Sequence, residues 1–414
     1  MGPRGGKANT APDGVGGPGS GRSLGLGPPG GKANRVTWLT EQDCDLHEFR
    51  RLVERPTDLA AYPSARAVDS NILVYDAAAI RSGAETEDGR RALQAELARA
   101  LLDGPGVVVI EKAFDASAVE RATAIFTALI NEEIAAGKSR GDHFAKPGTN
   151  ARLWDSLSKL AWRDPEVFVD YFANEVLALV SVAWLGPGYQ VNLVNPGGIA
   201  QDVHRDYHLG FMSNEQAERY PAHVHELSPV LTLQGAVAHS DMPVESGPTL
   251  YVPYSQKYLP GYLAWRRPEF REYGARHHVQ LPLTKGDAVF FNPALFHAAG
   301  HNRSADIRRM ANLLQISSAF GRAMESVDRE ALTNAVYPTL LQRKRAGAEA
   351  PWLRNVVAAC AEGYAFPTNL DLDVPLDGLA PPAPAEVVMR ALTDDRAPDE
   401  LRQQLRTAAK RRRT

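Results

Sequence analysis

The sequence predicts a mainly β fold: a core of short antiparallel strands with helical regions on either side. Three observations carry this reading. Between about residues 188 and 320 the chain is a series of short apolar or alternating segments separated by Gly, Pro, Asp and Asn, the pattern of an antiparallel sandwich or barrel. Before and after this stretch, apolar residues recur at helical spacing. All the residues suited to bind a metal together lie in the β-rich part.

Residues 1–35 are Gly- and Pro-rich and carry GGKAN twice, at Gly5–Asn9 and Gly30–Asn34. Such a segment buries too little surface to offset the entropy of ordering it, so a disordered tail is expected. Gly-Gly-Lys-Ala is no phosphate loop, because Ala33 stands where Ser or Thr is required. The main domain runs over 36–320, with a helical front over 36–187 and the β-core over 188–320. In the front, Arg90–Leu102 has helical spacing and Gly106–Glu111 is a buried-strand run. Asp115 or Ser117 caps a helix from about Val119 to Ala136. A further helical region, Asn150–Ala183, breaks at Asp164-Pro165, and its Trp154 and Trp162 read as core.

In the β-core the expected strands are Gln190–Val194, Val230–Val237, Pro248–Val252, His278–Leu283, Asp287–Asn292 and Met310–Ser317. Residues 321–414 form a helical extension that includes Arg329–Gln342 and Pro351–Cys360. A Pro-rich stretch at Pro381–Pro384 and a charged terminal helix follow.

Composition narrows the function. With 414 residues, 44% hydrophobic, 23% charged and a net charge of −3, nothing global points to nucleic acid or a membrane surface. The run Lys410–Arg413 reads as a solvated end. Two cysteines, Cys44 and Cys360, without CxxC spacing argue against a disulfide framework and a zinc ribbon, and for a reducing compartment. No apolar run approaches the ~20 residues of a membrane span. The start lacks the apolar core of a secretory signal, and Gly6 stands where a myristoylation motif needs Ser or Thr. A cytoplasmic protein acting on a small molecule is expected, of undetermined oligomeric state.

The chemistry concentrates at His204-Arg205-Asp206 and, far downstream, His297 and Arg308. On an extended chain residues i and i+2 share a side, so His204 and Asp206 can reach one metal. Two imidazoles and one carboxylate are the ligand set of a non-haem Fe(II) centre, which leaves the opposite face open. His208 is the next same-side residue and a rival to His204; His301 rivals His297 but sits in a Gly-His-Asn loop. Arg308 suits a bidentate clamp on the far carboxylate of a keto-diacid such as 2-oxoglutarate. It is preferred to Arg303, in the loop, and to Arg309, which faces the other side of the strand. A kinase catalytic loop is excluded, since Phe211 stands where its Asn belongs. Asn192, Asn195 and Gln201 lie near the motif, Gln234 is a polar residue on a core strand, and His143 is a candidate to reach in from the helical front.

At this point the sequence resembles the phytanoyl-CoA dioxygenase family of Fe(II)/2-oxoglutarate oxygenases. The resemblance lies in Asn192–Leu209, Ser240–Pro253 and Lys285–Ser304, and continues to Arg308. It extends over roughly 105–320, taking in the opening strand and helix GVVVIEKAFDASAVERA. It implies a double-stranded β-helix, the jelly-roll or cupin-like fold, as the core. His204, Asp206 and His297 would be catalytic Fe(II) ligands, with Arg308 on 2-oxoglutarate; by position alone, Asn192 and Gln201 are candidates to contact the co-substrate or to serve as core hydrogen-bonding residues. The implied reaction hydroxylates a small-molecule C–H bond using O2, with release of succinate and CO2. Asp206 argues against halogenation, which dispenses with the carboxylate ligand. Ala299 and the Tyr254-Ser255-Gln256 ending depart from the family pattern, and are the support for an alternative: a non-catalytic or non-redox metal-binding jelly roll.

Overall fold

The computed structural model describes residues 37–137, 152–196, 200–375 and 378–412. The tail over 1–35 and His143 lie outside them, and Asn195 is described in its backbone only. Among the described residues, eleven strands form two sheets. They are β1 (Ala67–Asp69), β2 (Ile72–Asp76), β3 (Val107–Glu111), β4 (Arg152–Leu153), β5 (Gln190–Pro196), β6 (Thr232–Ala238), β7 (Leu250–Val252), β8 (Val279–Gln280), β9 (Ala288–Phe291), β10 (Phe296–Ala298) and β11 (Ala311–Ser317).

The large sheet has the order β1-β2-β3-β9-β6-β11-β5-β4 and is antiparallel except for the parallel β2–β3 pair; the small antiparallel sheet is β10-β7-β8. Alternation divides the side chains of the large sheet between two cores. Val107, Val109, Ala236, Val289 and Phe291 pack toward the small sheet with Tyr251, Leu281 and Leu295. Val108, Ile110, Leu233, Val237, Phe290, Leu314 and Ile316 pack on the opposite face under helices from both ends of the chain. Because both faces are covered, the central strands are mostly apolar on both faces, and each buried Val, Leu or Phe contributes about 1.5–3 kcal/mol.

Helices occupy far more residues than strands, so the expected mainly β class gives way to a mixed helix–sheet architecture. The difference arises within the β-core as well as beside it. Ala222–Val230, Gly261–Ala264 and Pro268–His277 are helices between strands. The caps follow local chemistry: Asp115 accepts from the Ser117 and Ala118 amides at the head of Ala116–Ala135. Asp164 caps Pro165–Phe172 with Pro165 at the first position, which produces the predicted break. Arg152–Leu153, by contrast, is not helical; it pairs with Asn195 and Pro196 of β5 as an edge strand. Trp154 and Trp162, expected in the core, are 41% and 54% exposed. No single helix among the described residues is long and apolar enough to cross a membrane.

A candidate metal centre between the sheets

The segment before Asp206 runs as an irregular ribbon alongside β10. His204 and His297 form an antiparallel bridge, with the His204 amide donating to the His297 carbonyl at 2.9 Å and the reverse at 3.1 Å. Gln201 and Asp206 extend the contact through their amides to Ala299 O and Pro293 O. Two residues directly opposite on an antiparallel pair share a face. The bridge therefore sets the two imidazoles side by side, 4.7 Å apart between ring centroids.

Asp206 completes the cluster. Its carboxylate oxygens lie 3.5 Å from His204 Nε2 and 3.4 Å from His297 Nε2, and the three donor atoms lie within 4.8 Å of one another. Two donors about 2.1 Å from one metal and at right angles to each other stand roughly 3 Å apart, so the spacing fits one first-row ion. Both imidazoles are also prepared in their tautomer. His204 Nδ1 donates to Asp202 O and His297 Nδ1 to Leu295 O, each at 2.8 Å, which turns the Nε2 lone pairs toward Asp206. Gln234 Nε2 donates to Asp206 Oδ2 at 2.7 Å. Burial favours a neutral Asp206, but the two imidazoles and the Gln234 donor outweigh it and hold the carboxyl below its usual range. Burial also lowers the His204 pKa, against the pull of Asp206, and so favours the neutral ligand form.

The chain leaves the site abruptly. Tyr207 and His208 take left-handed backbone (φ 62° and 45°), a conformation that L side chains adopt at a cost, often at functional sites. The turn ends the alternation, so His208 leaves the donor side and pairs instead with Ser228 Oγ at 3.0 Å. His301 is exposed in its loop.

The triad borders a cavity of about 190 Å³, lined by both sheets and mostly apolar; Met242, Leu283 and Phe291 are among its walls. Gln201 lines it and accepts from the Ala299 amide. Two expectations are corrected. Arg308 is exposed and does not line the cavity; Arg309 does, with its Nη2 donating to Gly300 O at 3.1 Å and its pKa lowered by burial. The reason is the phase of β11: Arg309, Ala311, Leu313 and Gln315 face the cavity, whereas Leu314 and Ile316 face the helices. Asn192 is fully buried but lies beyond the cavity, where Arg329 donates to its Oδ1 at 3.1 Å. Residues the sequence reading did not place here are Arg152, Trp154, Phe211, Gln315 and Met324, all of which line the cavity. Only the parity of β11 carried a signal for any of them.

A two-histidine, one-carboxylate cluster in a pocket between two sheets defines the class: a non-haem iron site of the facial-triad type. A model of the phytanoyl-CoA dioxygenase family matches residues 102–310, half of the chain, and the chain belongs to that family. The cofactors of this family and donor set are Fe(II) and 2-oxoglutarate. Among solved structures, two crystal structures of SnoN, a non-heme alpha ketoglutarate dependent epimerase from nogalamycin biosynthesis, match at 20% identity and a TM-score of 0.37. Each match covers 55% of this chain and 82% or 85% of the other; one of the two holds Fe3+, alpha ketoglutarate and nogalamycin RO. No curated protein matches the sequence.

Proposed function

We propose that this chain is an Fe(II)/2-oxoglutarate-dependent oxygenase that hydroxylates a C–H bond of a small molecule. In this reading His204, Asp206 and His297 hold the iron, and the two facing sheets are the family's double-stranded β-helix. The observation that carries it is the convergence of three donors whose tautomers and charge already suit a divalent ion. When bound, iron and keto acid supply the oxidation: 2-oxoglutarate loses CO2, one atom of O2 enters succinate and the other enters the substrate.

The chain's own groups bind and orient. Arg309 receives the far carboxylate of the keto acid, a role for which the planar fork of a guanidinium is suited. Gln234 keeps Asp206 turned toward the two histidines. The apolar walls at Met242, Leu283 and Phe291 keep water from the co-substrate.

The test is an anaerobic titration with Fe(II) and then 2-oxoglutarate, followed by the weak visible band of the chelate. The wild type is expected to show the band; Asp206→Ala and His297→Ala are expected to lose it and succinate release while keeping native circular dichroism. Iron binding without a band, or a band that survives Asp206→Ala, would overturn the assignment.

A further inference from the structure

Gln315, within β11, is a polar side chain whose hydrogen-bonding capacity the fold and the metal donors leave half used. It lines the cavity with Val194 and Leu313. Its Oε1 accepts from Tyr207 Oη. The hydroxyl proton needs that acceptor, so turning the amide over would leave it buried and unpaired. Nε2 is thereby the free end of the side chain, and among the described residues it has no partner.

The neighbouring groups do not supply one. Register sets Gln315 directly opposite Gln234 on β6 and Asn192 on β5, so three amides form a row across one face of the sheet. Asn192 Oδ1 accepts from Arg329, and its Nδ2 is another donor without a partner. Glu325, in the loop after β11, accepts the Asp155 amide on Oε1, and its Oε2 has no partner, so it does not hold Gln315. Gln234 gives Nε2 to Asp206, an ionised carboxylate that can only accept, which fixes Oε1 as its free end. That oxygen too is without a partner among the described residues. A donor and an acceptor are thus left over on opposed residues that are 7% and 3% exposed and do not bond to each other. Buried polar groups are costly to leave unpaired, and a hydroxyl, which both accepts and donates, completes the two together.

We propose that the cavity takes a molecule with an apolar skeleton and a hydroxyl group, and that Gln315 and Gln234 together read this hydroxyl, Gln315 donating to it and Gln234 accepting from it. Because Gln234 also holds Asp206, the carbon that bears the hydroxyl is set beside the metal donors. The proposal rests on the oxygenase reading only for the statement that the bound molecule is the one oxidised.

Calorimetric titration of the anaerobic Fe(II)/2-oxoglutarate protein with cyclohexylmethanol, its methyl ether and ethylcyclohexane tests it, with the visible chelate band recorded throughout. The alcohol donates and accepts, the ether only accepts, and the hydrocarbon does neither. The alcohol is expected to bind at least tenfold more tightly than the hydrocarbon, with the ether between them, and the same order should hold in the metal-free protein. Gln315→Leu should bring alcohol and hydrocarbon within twofold of each other while the hydrocarbon keeps its affinity. Because that change strips Tyr207 of its acceptor, Gln315→Leu combined with Tyr207→Phe, which removes both polar partners, takes its place where the single variant fails to fold. An alcohol bound no more tightly than the hydrocarbon, or a preference that survives the loss of Gln315, would overturn the proposal. So would a preference that vanishes with the metal, which would tie the two amides to the metal and not to the ligand. Failure of the oxygenase reading is seen separately, as a band that never forms. The metal-free titration then still decides whether the hydroxyl is read.

Discussion

Arg205, between His204 and Asp206 of the His-Arg-Asp motif, is the most consequential side chain that the donor triad itself does not include. Alternation sends it away from the metal into a buried pocket, where Nη2 donates to Ser255 O at 2.6 Å and to Tyr258 O at 2.8 Å. Its guanidinium lies over the rings of Tyr262 and Phe296, at 5.0 and 5.4 Å, with no carboxylate among these contacts. Gly261 makes the room: a Cβ there would come within 2.0 Å of Arg205 Cζ. Ser255 also accepts, through Oγ, from the amide of Phe296, the residue before His297. One guanidinium therefore ties the segment bearing His204 and Asp206 to the strand bearing His297. Arg205→Met leaves two buried carbonyls without their donor, at about 1–3 kcal/mol each. We expect a lower unfolding temperature together with roughly tenfold weaker iron binding, the size of effect typical for a group that orients ligands. Thermal unfolding and an iron titration check this together; a lower melting point with unchanged iron affinity would make Arg205 a purely structural residue.

Among the elements, β11 shows most clearly what is legible in a sequence of this kind. Its existence follows from the mostly apolar segment Leu313–Ile316, but its phase does not. A strand covered on both faces carries large apolar residues on both, so Leu313 and Leu314 give no sign of which one faces the cavity. The sequence-based preference for Arg308 over Arg309 rests on phase alone, for which the sequence carries no sign. The order of β11 pairings with β5 and β6 supplies it. His204, Asp206 and His297 were legible because their residue types and spacing carry the chemistry without reference to phase. Trp154 was not, because it follows a strand, β4, that exists only through pairing with β5, some forty residues on. Arg309→Ala should raise the 2-oxoglutarate concentration needed for succinate release at least tenfold, and Arg308→Ala should change it less than twofold. The reverse pattern would restore the sequence-based choice.

For the molecule as a whole, the helices and the large sheet meet around a buried polar chain centred on His239. Asn312 Nδ2 donates to Tyr171 Oη at 2.9 Å, and Tyr171 pairs with His239 Nε2 at 3.0 Å. Thr123 donates to Val119 O and so accepts from His239 Nδ1 at 2.8 Å. The chain joins the helices Ala116–Ala135 and Pro165–Phe172 to β11 and the end of β6, and each ring nitrogen of a neutral imidazole has its complement. Burial pushes the His239 pKa down to about 3. The unfolded chain takes up a proton near pH 6.5 while the folded protein does not, so stability is complete above pH 6.5 and is lost as the pH falls toward 3. Between pH 7 and 5 this amounts to about 2 kcal/mol. Urea unfolding at the two pH values should show that loss in the wild type and a smaller one in His239→Gln. An equal loss in both proteins would assign the acid sensitivity elsewhere.

The bridge between His204 and His297 has a consequence for how such a protein diversifies. The two ribbons that carry the donors are laced to each other by main-chain contacts at Gln201, His204 and Asp206. The donor triangle therefore depends on that seam and on the few residues of the excursion from Tyr207 to Asn292 that brace it, Gln234, Ser255 and Tyr258, and much less on the rest of that excursion. Insertions, altered helices or a reshaped rim elsewhere in the excursion can change what the cavity accepts while the donor cluster keeps its shape. New specificities can thus arise in the excursion without the catalytic centre being built again.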